Sequence, residues 1–145
     1  PEGIEEALTE LSPYIDQVML YNNQSPYTIA LIVPNKEAIK KYLKDNNLSH
    51  HSKEGQIEAL KLIDGEINQF KDGKYKEMFP SRWLPATFAV LGEGFTEQNH
   101  FMNSTLKIVR GKITEFYKNR IEYLYTAEGK DILNHQNLTI VSRFD

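Results

Sequence analysis

Ile29-Ala30-Leu31-Ile32-Val33 is the strongest strand signal in this chain of 145 residues. Five apolar residues in a row, with no polar alternation, predict a strand that is buried on both faces of a sheet. A second β-like run precedes it at Ile15–Tyr21. The segment Asn22-Asn23-Gln24-Ser25-Pro26 separates the two runs and is a strong turn signal. These segments predict a hairpin whose second strand is the central one.

Helical periodicity surrounds the hairpin. Apolar residues three and four apart predict a first helix, in which Pro1 suits the first turn. Asn35 is a good N-cap for a short second helix. Further helices are predicted at about 52–70, 109–125 and 127–133, and a third buried strand at 87–91. The sequence therefore predicts an α+β fold, with a small, mainly three-stranded sheet covered by about four to five helices.

The composition is that of one ordinary globular domain. The chain is 40% hydrophobic and 26% charged, with a formal net charge of −3. Because it contains no cysteine, disulfides, thiolate nucleophiles and zinc–sulfur sites are excluded, and a reducing, cytoplasmic location is favoured. No apolar run reaches membrane-spanning length, and the mild acidity gives no reason to expect nucleic acid as a partner.

The four histidines are the first place to look for catalysis or a metal. His50 and His51 are adjacent in a polar link, and His100 and His135 stand apart in the sequence. None lies at ligand spacing with a carboxylate on a predicted helix face, so we interpret them as surface residues and predict no metal site. No serine lies in a G-x-S-x-G elbow, which argues against a Ser/His/Asp hydrolase.

A basic segment runs from Lys107 to Arg120 and contains five cations against one acid, Glu115. It is typical of a solvated helix face, and binding of an acidic partner is the alternative. Lys107 differs from the other cations because it precedes the predicted helix, on a loop that contains Ser104 and Thr105. An ammonium there could reach a phosphoryl group, where one charge pair at ~4 Å and an effective dielectric constant of ~20 is worth about 4 kcal/mol.

Two other groups of residues have simple structural interpretations. The aromatic stretch 75–83 is typical of the irregular edge of a small core, with a recognition surface as the alternative. Glu5, Glu6 and Glu54 stand near predicted helix starts, where carboxylates interact favourably with the helix dipole.

Three segments, in this order, carry a resemblance to a known family. The opening Pro1-Glu2-Gly3-Ile4-Glu5-Glu6-Ala7-Leu8 is similar to a P-x-x-I-E-x-x-L helix, and 27–35 to a P-x-A-L-I-V-P-N strand. Phe95-Thr96-Glu97-Gln98-Asn99, followed by 104–110, is similar to F-T-x-E-N-x-x-x-T-x-T-x-K-x-K-R. Together they resemble the carboxy-terminal subdomain of the adenylate-forming (AMP-binding) superfamily, and most closely its long-chain fatty acid–CoA ligases.

The resemblance implies a two-step reaction in a larger enzyme. ATP and a long-chain fatty acid would give an acyl-adenylate and pyrophosphate, and CoA would then displace AMP. The resemblance makes Lys107 the catalytic lysine of adenylation and gives Arg110 a supporting role. It places ATP, Mg²⁺ and the acyl tunnel in an amino-terminal domain, so no cofactor is expected on this chain alone.

The resemblance also implies that residues 1–145 are a single mobile lid domain, which is inactive by itself. The chain begins at Pro1 without an initiator Met, from which we expect it to be part of a larger protein whose amino-terminal domain is absent here. Peripheral membrane association of that parent is left open.

This sequence departs from the family pattern at two places. Leu106 stands where the superfamily usually has glycine, and part of the basic cluster after the lysine is missing. Two alternatives are left open: the lid of an adenylate-forming enzyme with another acceptor, and a stand-alone module that binds an acidic partner.

Overall fold

The computed structural model describes residues 2–145 and has an α+β fold, as predicted. Pro1, predicted to begin the first helix, lies outside the described residues. The strands are β1 (Ile15–Tyr21), β2 (Ile29–Pro34) and β3 (Thr87–Val90). The helices are α1 (Glu2–Leu11), α2 (Lys36–Asp45), α3 (Lys53–Asn68), α4 (Arg110–Phe116), α5 (Lys118–Leu124), α6 (Ala127–Lys130) and α7 (His135–Ser142), with a 3₁₀ turn at Ser81–Trp83.

The sheet has the order β1-β2-β3. β1 and β2 pair in antiparallel fashion, with Met19 opposite Leu31, which confirms the predicted hairpin. β2 and β3 are parallel, with Leu31 opposite Ala89, so the chain must cross over between them, and α2 and α3 make that crossover. The strand with the five apolar residues is therefore the central strand, and all of its residues are buried.

Alternate residues of β2 face two different cores. Ala30 and Ile32 pack into the first core, which holds the inner faces of α1, α2, α3 and α7. Ile29, Leu31 and Val33 pack into the second core, on the opposite face of the sheet, with Phe95, Phe101 and residues of α4 and α5. Because successive side chains of a strand point to opposite faces, a strand without polar residues needs cover on both sides.

Local capping begins the two helices of the crossover. Asn35 accepts a hydrogen bond from the backbone N–H of Ala38 at 3.1 Å, as the sequence predicted. Ser52 caps α3 in the same way, accepting from the N–H of Gly55 at 3.1 Å. These caps satisfy N–H groups that have no partner inside the first helical turn.

The predicted helix at 109–125 is divided by one irregular residue, Tyr117, into α4 and α5. Hydrogen bonds from Tyr117 N–H to Ile113 C=O and from Ile121 N–H to Tyr117 C=O, each 2.9 Å, carry the helical path through the break. Ile113 and Ile121 are buried as predicted, but Phe116, predicted on the apolar side, is 70% exposed. α7 lies where the sequence predicts only a tail through Ile140 and Val141.

The aromatic stretch 75–83 divides between core and surface. The rings of Tyr75 and Phe79 lie 5.0 and 6.1 Å from that of Phe70, at the edge of the first core. Met78 and Trp83 are exposed. None of the helices in residues 2–145 combines the length and the apolar character that crossing a bilayer requires.

The outer edge of β3 is covered by the side chain of Asn137, which is fully buried on α7. Its Oδ1 accepts from the N–H of Val90 at 2.9 Å. Its Nδ2 donates to the carbonyls of Phe88 and Ile132, both at 3.0 Å. The amide thus replaces a fourth strand for two backbone groups that would otherwise be buried without partners.

Replacing Asn137 with alanine removes these hydrogen bonds at a buried sheet edge. We expect Asn137→Ala to lower the free energy of unfolding by about 1–3 kcal/mol, because buried backbone groups lose their partners. Urea unfolding followed by circular dichroism measures the change. Asn119→Ala, at an exposed position of α5, is the matched control and should change stability by no more than about 0.5 kcal/mol. Equal effects of the two substitutions would contradict the bridging role.

Candidate functional site: a lysine loop tied to the first helix

Lys107 lies on a short hairpin that joins the second core to α4. Met102 and Ile108 form an antiparallel bridge. Around it, Asn103 N–H donates to Lys107 C=O at 2.9 Å, and Val109 N–H donates to Phe101 C=O at 2.8 Å. Phe101 is buried, whereas Lys107 is exposed. The loop therefore has one end in the core and presents the lysine to solvent at the other.

Asn103 organises the turn of this hairpin. Its Oδ1 accepts from Thr105 N–H at 3.0 Å, from Thr105 Oγ1 at 2.8 Å and from Lys107 N–H at 3.0 Å. Asparagine side chains commonly bond to backbone groups a few residues further on and so stabilise turns. The sequence reasoning missed this role, although an asparagine before a Ser-Thr pair is a recognisable turn signal.

Leu106, next to the lysine, has a φ angle of 62°. This left-handed conformation costs an L-residue with a side chain roughly 1–2 kcal/mol, whereas glycine adopts it freely. The side chain of Leu106 is 67% exposed, so core packing offers little compensation. Glycine, which the superfamily usually has at this position, would adopt this backbone without strain, whereas leucine adopts it at a cost.

A partly buried ion pair between Glu5 and Arg110 ties this loop to α1. Glu5 is 8% exposed, and its Oε2 accepts from Arg110 Nη1 at 3.0 Å and from the backbone N–H of Leu20 in β1 at 2.6 Å. Oε1 accepts from Arg110 Nη2, which completes a two-pronged contact. Glu5 was predicted to interact with the helix dipole. In the structure its side chain bonds to partners on β1 and α4.

Arg110 is the first residue of α4 and stands three positions after Lys107. The two prongs of its guanidinium fix both the position and the orientation of the start of that helix relative to Glu5. Glu5, Lys107 and Arg110 also line one open cleft of about 380 Å³ between α1, β1 and the loop. The structure thus brings the two predicted site residues together and adds Glu5, which the sequence reasoning had not linked to them.

The other cations of the basic segment do not form a single exposed face. Lys112 and Lys118 are exposed. Arg120 is partly buried and its Nη2 donates to Asn137 Oδ1 at 3.2 Å. Burial lowers the pKa of Arg120 from its ordinary value. Arg110 and Arg120, two of the five cations, therefore make contacts within the domain.

His50, His51 and His135 are distant in sequence from the lysine hairpin, whereas His100 is close to it. His51, His100 and His135 are exposed, as predicted. His50 is not a surface residue, because its side chain is only 12% exposed and contacts Asp145. His135 contacts Glu128, with Nδ1 and Oε1 3.0 Å apart.

Neutralising Glu5 tests the connection between α1 and the lysine loop. We expect Glu5→Gln to reduce the free energy of unfolding by about 1–3 kcal/mol, because the guanidinium loses the charge of the Glu5 carboxylate, while a side-chain oxygen remains for Leu20 N–H. The Arg110 side chain is 39% exposed, so solvent screening keeps the cost moderate.

Urea unfolding in a double-mutant cycle with Arg110→Leu separates the pair from other effects. Glu5→Gln should cost markedly less in the Arg110→Leu background, and the exposed neighbour change Glu6→Gln should have little effect in either. The same cost in both backgrounds would mean that Glu5 acts independently of Arg110.

Comparison with known proteins adds an independent line of evidence. No protein-family model matches the chain. It is 27% identical over 128 residues to long chain acyl-CoA synthetase 8 of Arabidopsis thaliana, covering 85% of this chain and 17% of that protein. It is 31% identical over 121 residues to a carboxylic acid reductase of Segniliparus rugosus, covering 83% of this chain and 9% of that protein.

A solved structure shares the fold. The adenylation domain of a carboxylate reductase from Mycobacterium chelonae superposes with a TM-score of 0.67 at 27% identity, covering 86% of this chain and 17% of that one. The chain therefore spans less than a fifth of the length of each of these relatives. In sequence and in fold, the chain resembles the carboxy-terminal subdomain of the adenylate-forming enzymes.

Proposed function

We propose that this chain is the mobile lid of a long-chain fatty acid–CoA ligase and that Lys107 is its adenylation lysine. The observation that supports this most directly is the position of Lys107, exposed on a hairpin whose base is anchored by Glu5 and Arg110. An exposed ammonium on an anchored loop is suited to enter a site on another domain. We assign ATP, Mg²⁺ and the fatty acid to that domain, which precedes this chain in the proposed parent.

The proposed first step forms a bond between the fatty acid carboxylate and the α-phosphorus of ATP, and pyrophosphate leaves. Negative charge accumulates on the carboxylate and the α-phosphate oxygens as the bond forms. A positioned ammonium in a closed cleft stabilises that charge without having to reorganise. In the second step the CoA thiol releases its proton to solvent and its sulfur bonds to the acyl carbonyl carbon. AMP leaves with the electrons of the broken acyl C–O bond, and this step has no requirement for Lys107.

Withdrawal of the lysine between the two steps is proposed to occur by rotation of the whole lid. The hairpin is closed by backbone hydrogen bonds and by the Asn103 side chain, and Arg110 ties its base to α1. A loop held at this many points moves with its domain more readily than by itself. Rigid-body motion of a domain around a hinge is a common way to complete and then dismantle a catalytic site.

There are two candidates for the acyl acceptor of the second step. Both the 31% identical relative and the superposed structure are carboxylate reductases, which favours an acceptor other than free CoA as the alternative. The acyl-CoA synthetase relative and the long-chain type of loop favour CoA. The adenylation step proposed for Lys107 is the same in both cases, because the two candidates differ only in the nucleophile of the second step.

A module that binds an acidic partner through its basic helix is supported less well. That function needs a continuous exposed stripe of cations. Arg110 is engaged with Glu5, and Arg120 is partly buried against Asn137. The remaining exposed lysines of the segment are Lys107, Lys112 and Lys118.

Substitution of Lys107 in the full-length parent tests the catalytic proposal. We expect Lys107→Ala to reduce acyl-adenylate formation by at least about 10²-fold, by loss of charge stabilisation in the transition state. Thioester formation from supplied acyl-adenylate should be largely retained. The two half-reactions are measured separately, as pyrophosphate release and as acyl transfer to CoA.

The charge-matched control is Lys112→Ala, at an exposed position of α4. It should leave both half-reactions close to those of the unchanged enzyme. Equal loss of both half-reactions in Lys107→Ala would contradict the role assigned to this lysine, and equal effects of the two substitutions would favour a general basic surface.

The acceptor is tested in the same parent by supplying acyl-adenylate with either free CoA or a phosphopantetheinylated carrier domain. We expect CoA to be acylated at least about tenfold faster, which corresponds to a difference of about 1.4 kcal/mol in activation free energy. The opposite preference would assign the chain to a reductase-like enzyme and leave the proposal for Lys107 intact.

A further inference from the structure

We propose that His50, His51 and Asp145 form a binding site for a divalent transition-metal ion of the zinc class. The two histidines lie in the connection between α2 and α3, and Asp145 follows α7. The fold therefore brings three potential ligands together, although Asp145 is 95 residues from His50 in the sequence. This proposal does not depend on the function of Lys107.

The donor atoms converge on one point. His50 Nε2 lies 2.8 Å and His51 Nε2 lies 3.6 Å from the same carboxylate oxygen, Asp145 Oδ1. All three donors lie within 4.8 Å of one another. Ligands at ~2.0–2.1 Å from a tetrahedral zinc ion are separated by roughly 3.3–3.5 Å, so small side-chain rotations would place an ion between them.

The second imidazole distinguishes this cluster from a simple ion pair. One histidine suffices to satisfy a carboxylate oxygen, as His135 and Glu128 do elsewhere in the chain. Here the rings of His50 and His51 lie 4.0 Å apart and direct both Nε2 atoms towards one oxygen. Two imidazoles and one carboxylate, with a further position left for water, are the ligand set that zinc-class ions prefer over Mg²⁺ or Ca²⁺.

Neighbouring residues contact His50 and hold the backbone of the histidine pair. The His50 ring is mostly buried and lies 6.5 Å from that of Phe144, which is fully buried next to Asp145. The backbone of the histidine pair is held by Gln56 Nε2, which donates to His50 C=O at 3.0 Å, and by Ser49 Oγ, which accepts from His51 N–H at 3.1 Å. Because the backbone of the histidine pair is already held, less conformational entropy is lost there when an ion binds.

Calorimetric titration of the chelator-treated 145-residue chain with Zn²⁺ tests the proposal. We expect one equivalent of ion to bind, and His51→Ala and Asp145→Asn each to weaken binding by at least about tenfold through loss of one ligand. Both side chains are exposed, so neither change threatens the fold. Titration with Co²⁺ should give the intense visible absorption of low-symmetry, near-tetrahedral coordination, whereas Mg²⁺ should not compete.

The matched control is His135→Ala, which removes the imidazole of the two-residue cluster with Glu128. It should leave Zn²⁺ binding unchanged. Failure of the unchanged chain to bind one equivalent would overturn the proposal. It would also be overturned if His51→Ala and His135→Ala weakened binding equally, because the ion would then be held by scattered surface histidines.

Discussion

Burial of β2 on both faces is the constraint on which the rest of this domain depends. Its residues alternate between two cores, so helices must cover the sheet on both sides. A small sheet that is covered twice has two edges left to protect, and here side chains do so. Asn137 bonds to the edge of β3, and Glu5 accepts from the N–H of Leu20 on β1. Edge groups without partners would favour pairing with other chains or would be buried at a cost.

The Glu5 edge contact also builds the candidate site. The same carboxylate that accepts from Leu20 holds Arg110 in a two-pronged contact, so sheet protection and placement of the lysine loop share one side chain. α1 contributes to the first core and α4 to the second, and the ion pair joins them. In the proposed function, this is how a lid presents Lys107 as part of a rigid body. The left-handed backbone of Leu106 places conformational strain directly next to the lysine.

Local signals in the sequence were sufficient for much of the fold. The apolar run of β2, the turn after Tyr21 and the Asn35 cap each depend on neighbouring residues, and the structure has all three. The prediction was weaker where packing overrides periodicity. The helical pattern continues through Tyr117, yet the chain has an irregular residue there and Phe116 is exposed. α7 was missed because its buried Asn137 is polar, and its role is visible only beside β3.

The same division applies to the site. The sequence by itself determined the three strands and most of the helices, because these depend on residue type and short spacing. It also carried the family resemblance from which Lys107 and Arg110 were chosen. Only the tertiary structure decided that Arg110 pairs with Glu5, which is 105 residues away, that Leu106 is left-handed, and that two histidines meet Asp145. Those facts depend on how distant segments pack around β2, and no periodicity along the chain encodes a pairing across such a separation.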